Sequence, residues 1–224
     1  MLHCDRGECK IPGDIYERLK NGLLELDMDA AVDAAKSVAQ TGDPQAVKGA
    51  VDAVTEALQT VGKRFQDGEW YLAELVYAGE ISKETMNILS PLMEAGAMET
   101  AGTIVIGTVA GDLHDLGKNI FITYAKSAGF NMIDLGTDVP TQKFVDAVKE
   151  HSPLALGMSC LLTSTDMEIG KVIEELNRQN LRDRVKVVIG GAALTQQFAK
   201  EAGVDAFAPD AVTGTDIIKK WSAS

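Results

Sequence analysis

Asp112-Leu113-His114-Asp115-Leu116-Gly117 sets a carboxylate two residues before an imidazole and a glycine three residues after it. A neutral imidazole binds a transition metal through one ring nitrogen. Its other N–H then needs an acceptor that fixes tautomer and ring direction, and a carboxylate in that place also raises ligand basicity. Asp112 and His114 have the spacing for that pair, and Gly117 removes a Cβ where a bulky ligand would meet the backbone. The same residues fit a plainer reading, in which Asp112 or Asp115 caps the following helix and His114 is a solvated loop residue. Of the other two histidines, His3 lies in an N-terminal tail and His151 at a polar helix end before a strand.

Position weights the choice towards the ligand. Thr103 to Val109 is an apolar, β-branched run that reads as a buried strand, followed by a glycine turn and a helix. In an open α/β sheet such a corner, outside the carboxyl ends of the strands, is where ligands sit. Strands are expected near 103–109, 131–135, 154–159, 186–190 and 205–208, and helices near 117–128, 141–151, 167–179, 195–202 and 213–222. Five β-α units predict a flavodoxin-like (Rossmann-type) parallel sheet with strand order 2-1-3-4-5 and helices on both faces. That order places His114, after strand 1, beside Ser159 and Thr165, after strand 3.

The chain ahead of the sheet reads as a four-helix bundle. Ile15, Leu19 and Leu23 share one helical face, and Ala31, Ala34, Ala35 and Val38 another. Asp43-Pro44 reads as a cap followed by proline at the first helical position, and Val47, Val51, Val54, Leu58 and Val61 recur at bundle spacing. Asp67-Gly68 breaks that helix. A fourth opens near Glu69 with Leu72, Leu75, Val76 and Gly79 on one face, then Met86 and Leu89, and Pro91 kinks or ends it. Ala95 to Gly102 is the expected linker. The expected domains are residues 1–96, helical, with 1–12 a disordered tail holding a loose His3-Cys4-x4-Cys9 cluster, and residues 97–224, the sheet.

The totals exclude several classes. At 224 residues the chain has enough length for one large or two modest domains. A formal charge of −12 argues against sequence-independent binding to nucleic acid or to an anionic membrane. No apolar run is long enough to span a membrane, and residues 1–10 hold no signal-peptide core. Three cysteines do not make a disulfide framework, so a cytoplasmic protein is expected.

Asp112-x-His114-x-x-Gly117 resembles the Asp-x-His-x-x-Gly signature of cobalamin-binding domains in methyltransferases and carbon-skeleton mutases. Two further parts follow in order: Ser159-Cys160-Leu161 after a gap of 41 residues, and Gly190-Gly191 after a further 28. With its helical N-terminal half, the chain resembles the corrinoid proteins of anaerobic methyltransferase systems, and the cap plus B12-binding domains of cobalamin-dependent methionine synthase.

The resemblance implies a cobalamin or related corrinoid bound base-off. His114 would be the lower ligand to cobalt, Asp112 would accept the other imidazole hydrogen, and Thr165 would extend the pair into a relay. It also implies that Ser159, Leu161 and Thr163 line the slot for the nucleotide tail, although ordinary turn chemistry also accounts for hydroxyls there. Gly190 and Gly191 would leave room for the tail, Ala211 would touch the tail or corrin edge, and Cys160 is a packing residue. Related helical domains cap the corrin with Phe-Leu-Pro-Glu-Leu; here Tyr71-Leu72-Ala73-Glu74-Leu75 stands in that place, with Tyr71 the covering residue and the proline missing. Aromatics filling a bundle end give the plainer reading.

The implied function is a methyl carrier with no catalysis of its own. A substrate-specific methyltransferase would load it, a second one would unload it to tetrahydrofolate or a thiol, and a reductive activase would restore it. A likeness of residues 181–191 to bacterial carriers points to an O-demethylase system; methylamine, methanol or betaine systems are the alternatives, as is the cobalamin subunit of a B12-dependent mutase. A light-sensing or regulatory B12 domain usually carries a DNA-binding module, and no basic helix-turn-helix occurs here. A flavodoxin-like module phosphorylated on Asp112 would need an acid cluster and a later lysine that the sequence does not assemble.

Overall fold

Asp27 and Asp43 start two of the helices in the same way. The Asp27 carboxylate accepts from Ala30 N–H at 2.9 Å and that of Asp43 from Gln45 N–H at 3.0 Å, each satisfying an orphan donor of a first turn. In the computed structural model, which describes residues 4–5, 8–9, 14–95 and 100–223, the helices so capped are α2 (Met28–Ala39) and α3 (Pro44–Gln66). They pack with α1 (Ile15–Leu24) and α4 (Leu72–Ala95) as the expected bundle. Its core is Leu19, Leu23, Val38, Val54, Leu58, Val61, Leu75, Ile81 and Leu89, with alanines where helices approach closely.

Helix α4 departs from expectation in three respects. It starts at Leu72, where Glu74 reaches back to accept from Tyr71 N–H at 3.0 Å. Its inward face is Leu75, Ala78, Gly79, Ser82, Met86 and Leu89, whereas Leu72 is exposed and Val76 half-buried. Pro91 lies inside the helix, which continues to Ala95; a proline there removes a single backbone donor close to the C-terminal end.

The chain divides into two compact units between Glu99 and Thr100. In the second, strands β1 (Thr103–Thr108), β2 (Asn131–Asp134), β3 (Ala155–Ser159), β4 (Lys186–Gly190) and β5 (Ala206–Ala208) form an all-parallel sheet of order β2-β1-β3-β4-β5, as expected. Alternation along β1 sends Val105 to one face, with Phe144, Leu156, Ile169 and Ile189, and Ile104 and Ile106 to the other, with Phe121, Val188 and Ile218. Helices α6 (Thr141–His151), α7 (Met167–Arg178) and α8 (Gln196–Glu201) therefore cover the first face, and α5 (Leu116–Ser127) and α9 (Ala211–Ser222) the second. Helix α9 begins two residues earlier than expected, because the Asp210 carboxylate accepts from Thr213 N–H at 2.7 Å.

Outside the sheet, the backbones of Cys4–Asp5 and Glu8–Cys9 pair antiparallel. The remainder of the expected tail, with His3, and residues 96–99 of the expected linker lie outside the described residues.

Candidate functional site

Past Thr108 the β1 chain keeps one more partner, a parallel bridge from Val109 to Val139, and then turns at Gly111 (φ +79°). Asp112 follows, with no solvent exposure. One carboxylate oxygen, Oδ1, accepts from His114 N–H at 3.0 Å and stands 2.7 Å from His114 Nδ1. The other, Oδ2, accepts from the Leu161 and Leu162 N–H groups at 2.6 and 3.3 Å, in the loop after β3. Thr108 Oγ1 donates to the His114 carbonyl at 3.0 Å, holding the loop from the strand side.

Burial pushes the Asp112 carboxyl up, but the hydrogen bonds from His114, Leu161 and Leu162 outweigh it and hold the group below its ordinary value of 3.8. A carboxyl depressed by folding stabilises the native state above its unfolded value and loses that contribution as pH falls through the folded value. The stability difference between the wild type and Asp112→Asn, from urea unfolding at stepped pH, is therefore expected to be largest near neutrality and to shrink below pH 3.8. A difference constant over that range would contradict the assignment.

With an ionised carboxylate at Nδ1, that nitrogen carries the proton and Nε2 is left as the free lone pair. Among the described residues Nε2 has no protein partner, and the His114 side chain is 52% exposed. Leu113 and Leu116 beside it in the chain, and Leu161, Leu162 and Met167 on and just after the loop that bonds to Asp112, are all exposed to solvent. Gly117, second residue of α5, has open space where a Cβ would stand. Asp115 occupies the cap position of α5 but makes no cap hydrogen bond; its carboxylate accepts from Asn119 Nδ2 instead.

The relay expected from Asp112 to Thr165 takes a different course. Thr165 is buried within the loop after β3, where its hydroxyl donates to the Leu162 carbonyl at 3.0 Å and lies 3.4 Å from Cys160 Sγ. The loop folds back on itself, so main-chain N–H groups, and not the threonine hydroxyl, complete the shell of the Asp112 carboxylate. Cys160 is buried, and burial pushes its thiol up, consistent with packing.

Ser159 ends β3, its carbonyl accepting from Val109 N–H at 3.1 Å, and Thr163 is exposed on the loop beyond. Gly190 ends β4. A Cβ on Gly191 (φ +128°) would stand 2.0 Å from the Cys160 carbonyl oxygen, so this glycine is required by the chain's own packing, whether or not a ligand sits there. Ala211 is the half-buried first residue of α9. Tyr71 belongs to the helical unit, at 75% exposure.

Several participants were not apparent in the sequence. The Leu162 N–H and the exposed leucines carry no motif of their own, although leucines at 113 and 116 beside polar residues are a usable sign. No motif marks Asp138, whose carboxylate accepts from Gly111 N–H at 2.7 Å, or Lys118, buried on α5 against Asp134 at 2.8 Å.

The donor set limits what metal would fit. Among the described residues no group of three or more His, Cys, Asp or Glu converges, whereas a site built from protein ligands alone draws on three or four. One imidazole whose Nε2 is left without a partner among the described residues would give a single donor, which fits a metal already held by another molecule better than a site built from protein ligands alone.

Comparison with known proteins agrees with that chemistry. A B12 binding domain model matches residues 102–215, and a second B12 binding domain model matches residues 15–90. The chain is 34% identical over 213 residues to trimethylamine corrinoid protein 1 of Methanosarcina acetivorans, covering 94% of this chain and 96% of that one. It is 35% identical over 199 residues to dimethylamine corrinoid protein 2 of Methanosarcina mazei, covering 88% and 92%. Its structure resembles the crystal structure of a cobalamin-binding protein from Desulfitobacterium hafniense, with a TM-score of 0.79, 34% identity, and coverage of 93% of this chain and 98% of that one.

Proposed function

The chain belongs to the family of corrinoid proteins built from B12 binding domains, and from that premise we propose that it carries methyl groups drawn from a methylated amine, with His114 as the lower ligand to cobalt. The observation that carries the ligand assignment is the Asp112 carboxylate, buried and ionised, 2.7 Å from Nδ1 while Nε2 is free. A bound corrinoid supplies the cobalt centre that accepts and gives up the methyl group.

The protein's residues orient and hold. Asp112 keeps the proton on Nδ1, fixes the plane of the ring and makes Nε2 a better donor. The exposed Leu113, Leu116, Leu161 and Met167 would offer apolar contact to a bound corrinoid and exclude water from it. Ser159, Leu161, Thr163, Gly190, Gly191 and Ala211 are the residues we assign to the nucleotide tail, and Tyr71 is assigned to the cofactor from the helical unit.

For the donor, similarity to trimethylamine and dimethylamine corrinoid proteins over nearly the whole chain favours a methylated amine over the aryl ether of an O-demethylase system. A methyltransferase specific for that amine loads the carrier. A second one removes the methyl group to a thiol or to tetrahydrofolate, and a reductive activase returns the carrier to service.

Titration with hydroxocobalamin tests the reading. Uptake with a change in the visible spectrum is expected, and the EPR signal of the cobalt(II) form should change its nitrogen splitting from triplet to doublet when the protein is grown on ¹⁵N-histidine. His114→Ala is expected to retain uptake and lose that splitting. No uptake, or a signal indifferent to the label and to the substitution, would remove the ligand assignment. For the donor, the reduced, loaded protein is expected to be methylated from trimethylamine or dimethylamine with a cognate methyltransferase. Methylation from an aryl methyl ether with an O-demethylase, and not from the amines, would overturn that part.

A further inference from the structure

Asp112 serves two segments at once: His114 in its own loop, and Leu161 and Leu162, 49 and 50 residues further along the chain. A carboxylate can do this only if its backbone is held in place, and β1 has ended four residues earlier. A displacement of about 1 Å would carry the 3.3 Å bond to Leu162 beyond hydrogen-bond range.

What holds it is the loop between β2 and α6. Thr108 N–H donates to the Gly136 carbonyl at 3.0 Å and Val139 N–H to the Thr108 carbonyl at 2.9 Å, which extends the ladder past both strand ends. Gly111 (φ +79°), just past the ladder, and Asp138 (φ +51°), between its two rungs at Gly136 and Val139, both take left-handed backbone. There Asp138 makes a reciprocal pair: its carboxylate accepts from Gly111 N–H at 2.7 Å, and its own N–H donates to the Asp112 carbonyl at 3.0 Å. Aspartate is among the few side chains that tolerate this backbone region, and among the described residues Asp138 is the only side chain that bonds to the Gly111 N–H.

Resting on the reading of His114 as the metal ligand, we propose that Asp138 is a positioning residue for it, setting through Gly111 and Asp112 where the Asp112 carboxylate stands between the His114 ring and the Leu161–Leu162 amides. Among the described residues the Asp138 side chain bonds to Gly111 and not to the His114 ring. Removing it would loosen the pairing without deleting any group that meets the cofactor.

Three substitutions separate the acceptor from the backbone conformation. Asp138→Asn keeps both an oxygen acceptor and tolerance of positive φ; Asp138→Gly keeps only the conformation; Asp138→Ala keeps neither. The first readout is solvent exchange of the His114 Nδ1 proton, by NMR of ¹⁵N-histidine protein without cofactor. The second is the share of hydroxocobalamin-loaded, reduced protein that shows histidine nitrogen splitting by EPR. Asp138→Asn is expected to match the wild type, while the Gly and Ala variants exchange about five- to tenfold faster, the worth of one lost hydrogen bond, and show a smaller histidine-ligated share.

Wild-type exchange and ligation in the Gly and Ala variants would overturn the proposal. So would a defect confined to Ala, which would assign the effect to backbone strain. If the loaded wild type shows no histidine nitrogen at cobalt, the ligand reading has failed. The exchange series then decides independently whether Asp138 positions the Asp112–His114 pair.

Discussion

Gly191→Ala is expected to destabilise the sheet unit by about 3–5 kcal/mol, since it combines backbone strain at positive φ with a core clash. The added Cβ would lie 2.0 Å from the Cys160 carbonyl oxygen and 2.7 Å from its carbon, and these are main-chain atoms that cannot swing aside as a side-chain tip would. Relief requires β4 to move away from the loop after β3. That movement breaks the Cys160 N–H bond to the Gly190 carbonyl at 3.0 Å and drags the adjoining Leu161 and Leu162 N–H groups from Asp112. The loss is a large share of the ~5–15 kcal/mol by which a typical domain is stable. Urea unfolding should show a much lower midpoint, and hydroxocobalamin uptake by the folded fraction should weaken with it. An alanine variant with the wild-type midpoint would show that the two loops are not packed as described.

The second large effect lies at Lys118, and its asymmetry is what tests it. Lys118 is the second residue after Leu116, where α5 begins, and its side chain is 2% exposed. It donates to both oxygens of Asp134 at 2.8 Å and to Asn119 Oδ1 at 3.0 Å. Asp134, at the end of β2, is 40% exposed and also accepts from Gly136 N–H at 2.9 Å. The two partners are therefore unequal. Removing the carboxylate strands an ammonium in the interior, whereas removing the ammonium leaves a carboxylate that water can reach.

Asp134→Ala is accordingly expected to cost about 3 kcal/mol, the lower part of the range for stranding one charge of a buried pair, and Lys118→Met only about 1 kcal/mol. The double variant should recover most of the larger loss, a coupling that a double-mutant cycle on unfolding free energies measures directly. Equal costs for the two single variants, or simple additivity, would rule out the buried charge as the reason. Because the pair ties the first turn of α5 to the end of β2, Asp134→Ala should also loosen the loop that carries His114.

The helices and strands were legible because their signal is local. Binary patterning over a few turns located α1 to α3 and all five strands of the sheet, and Asp43-Pro44 marked the start of α3. Helix α4 is the instructive exception. Leu72 and Val76 have the right hydropathy for its inward face, yet the helix turns Ala78, Ser82 and Thr85 inward, because small side chains let the helices approach closely. Periodicity finds such a helix but not its rotation.

The motif at 112–117 was legible as an imidazole paired with an acid, since both residues lie on one short turn. Its completion was not. Thr165 sits at the expected place in the sequence, but the loop's own closure spends that hydroxyl on Leu162, and two amides take its role.

By itself, the amino-acid sequence determined the order of the elements, the two-part organisation and the pairing of Asp112 with His114, all of which depend on residues near one another along the chain. Only the tertiary structure decided that Leu161 and Leu162 bond to the Asp112 carboxylate and Asp138 to the turn at Gly111, that Gly191 has no room for a side chain, and that Lys118 is buried against Asp134. The reason is geometric: each of these contacts joins segments 16 to 50 residues apart, and hydrogen bonds at that separation exist only once the strand order and the loop closures have brought the donors within about 3 Å of their acceptors.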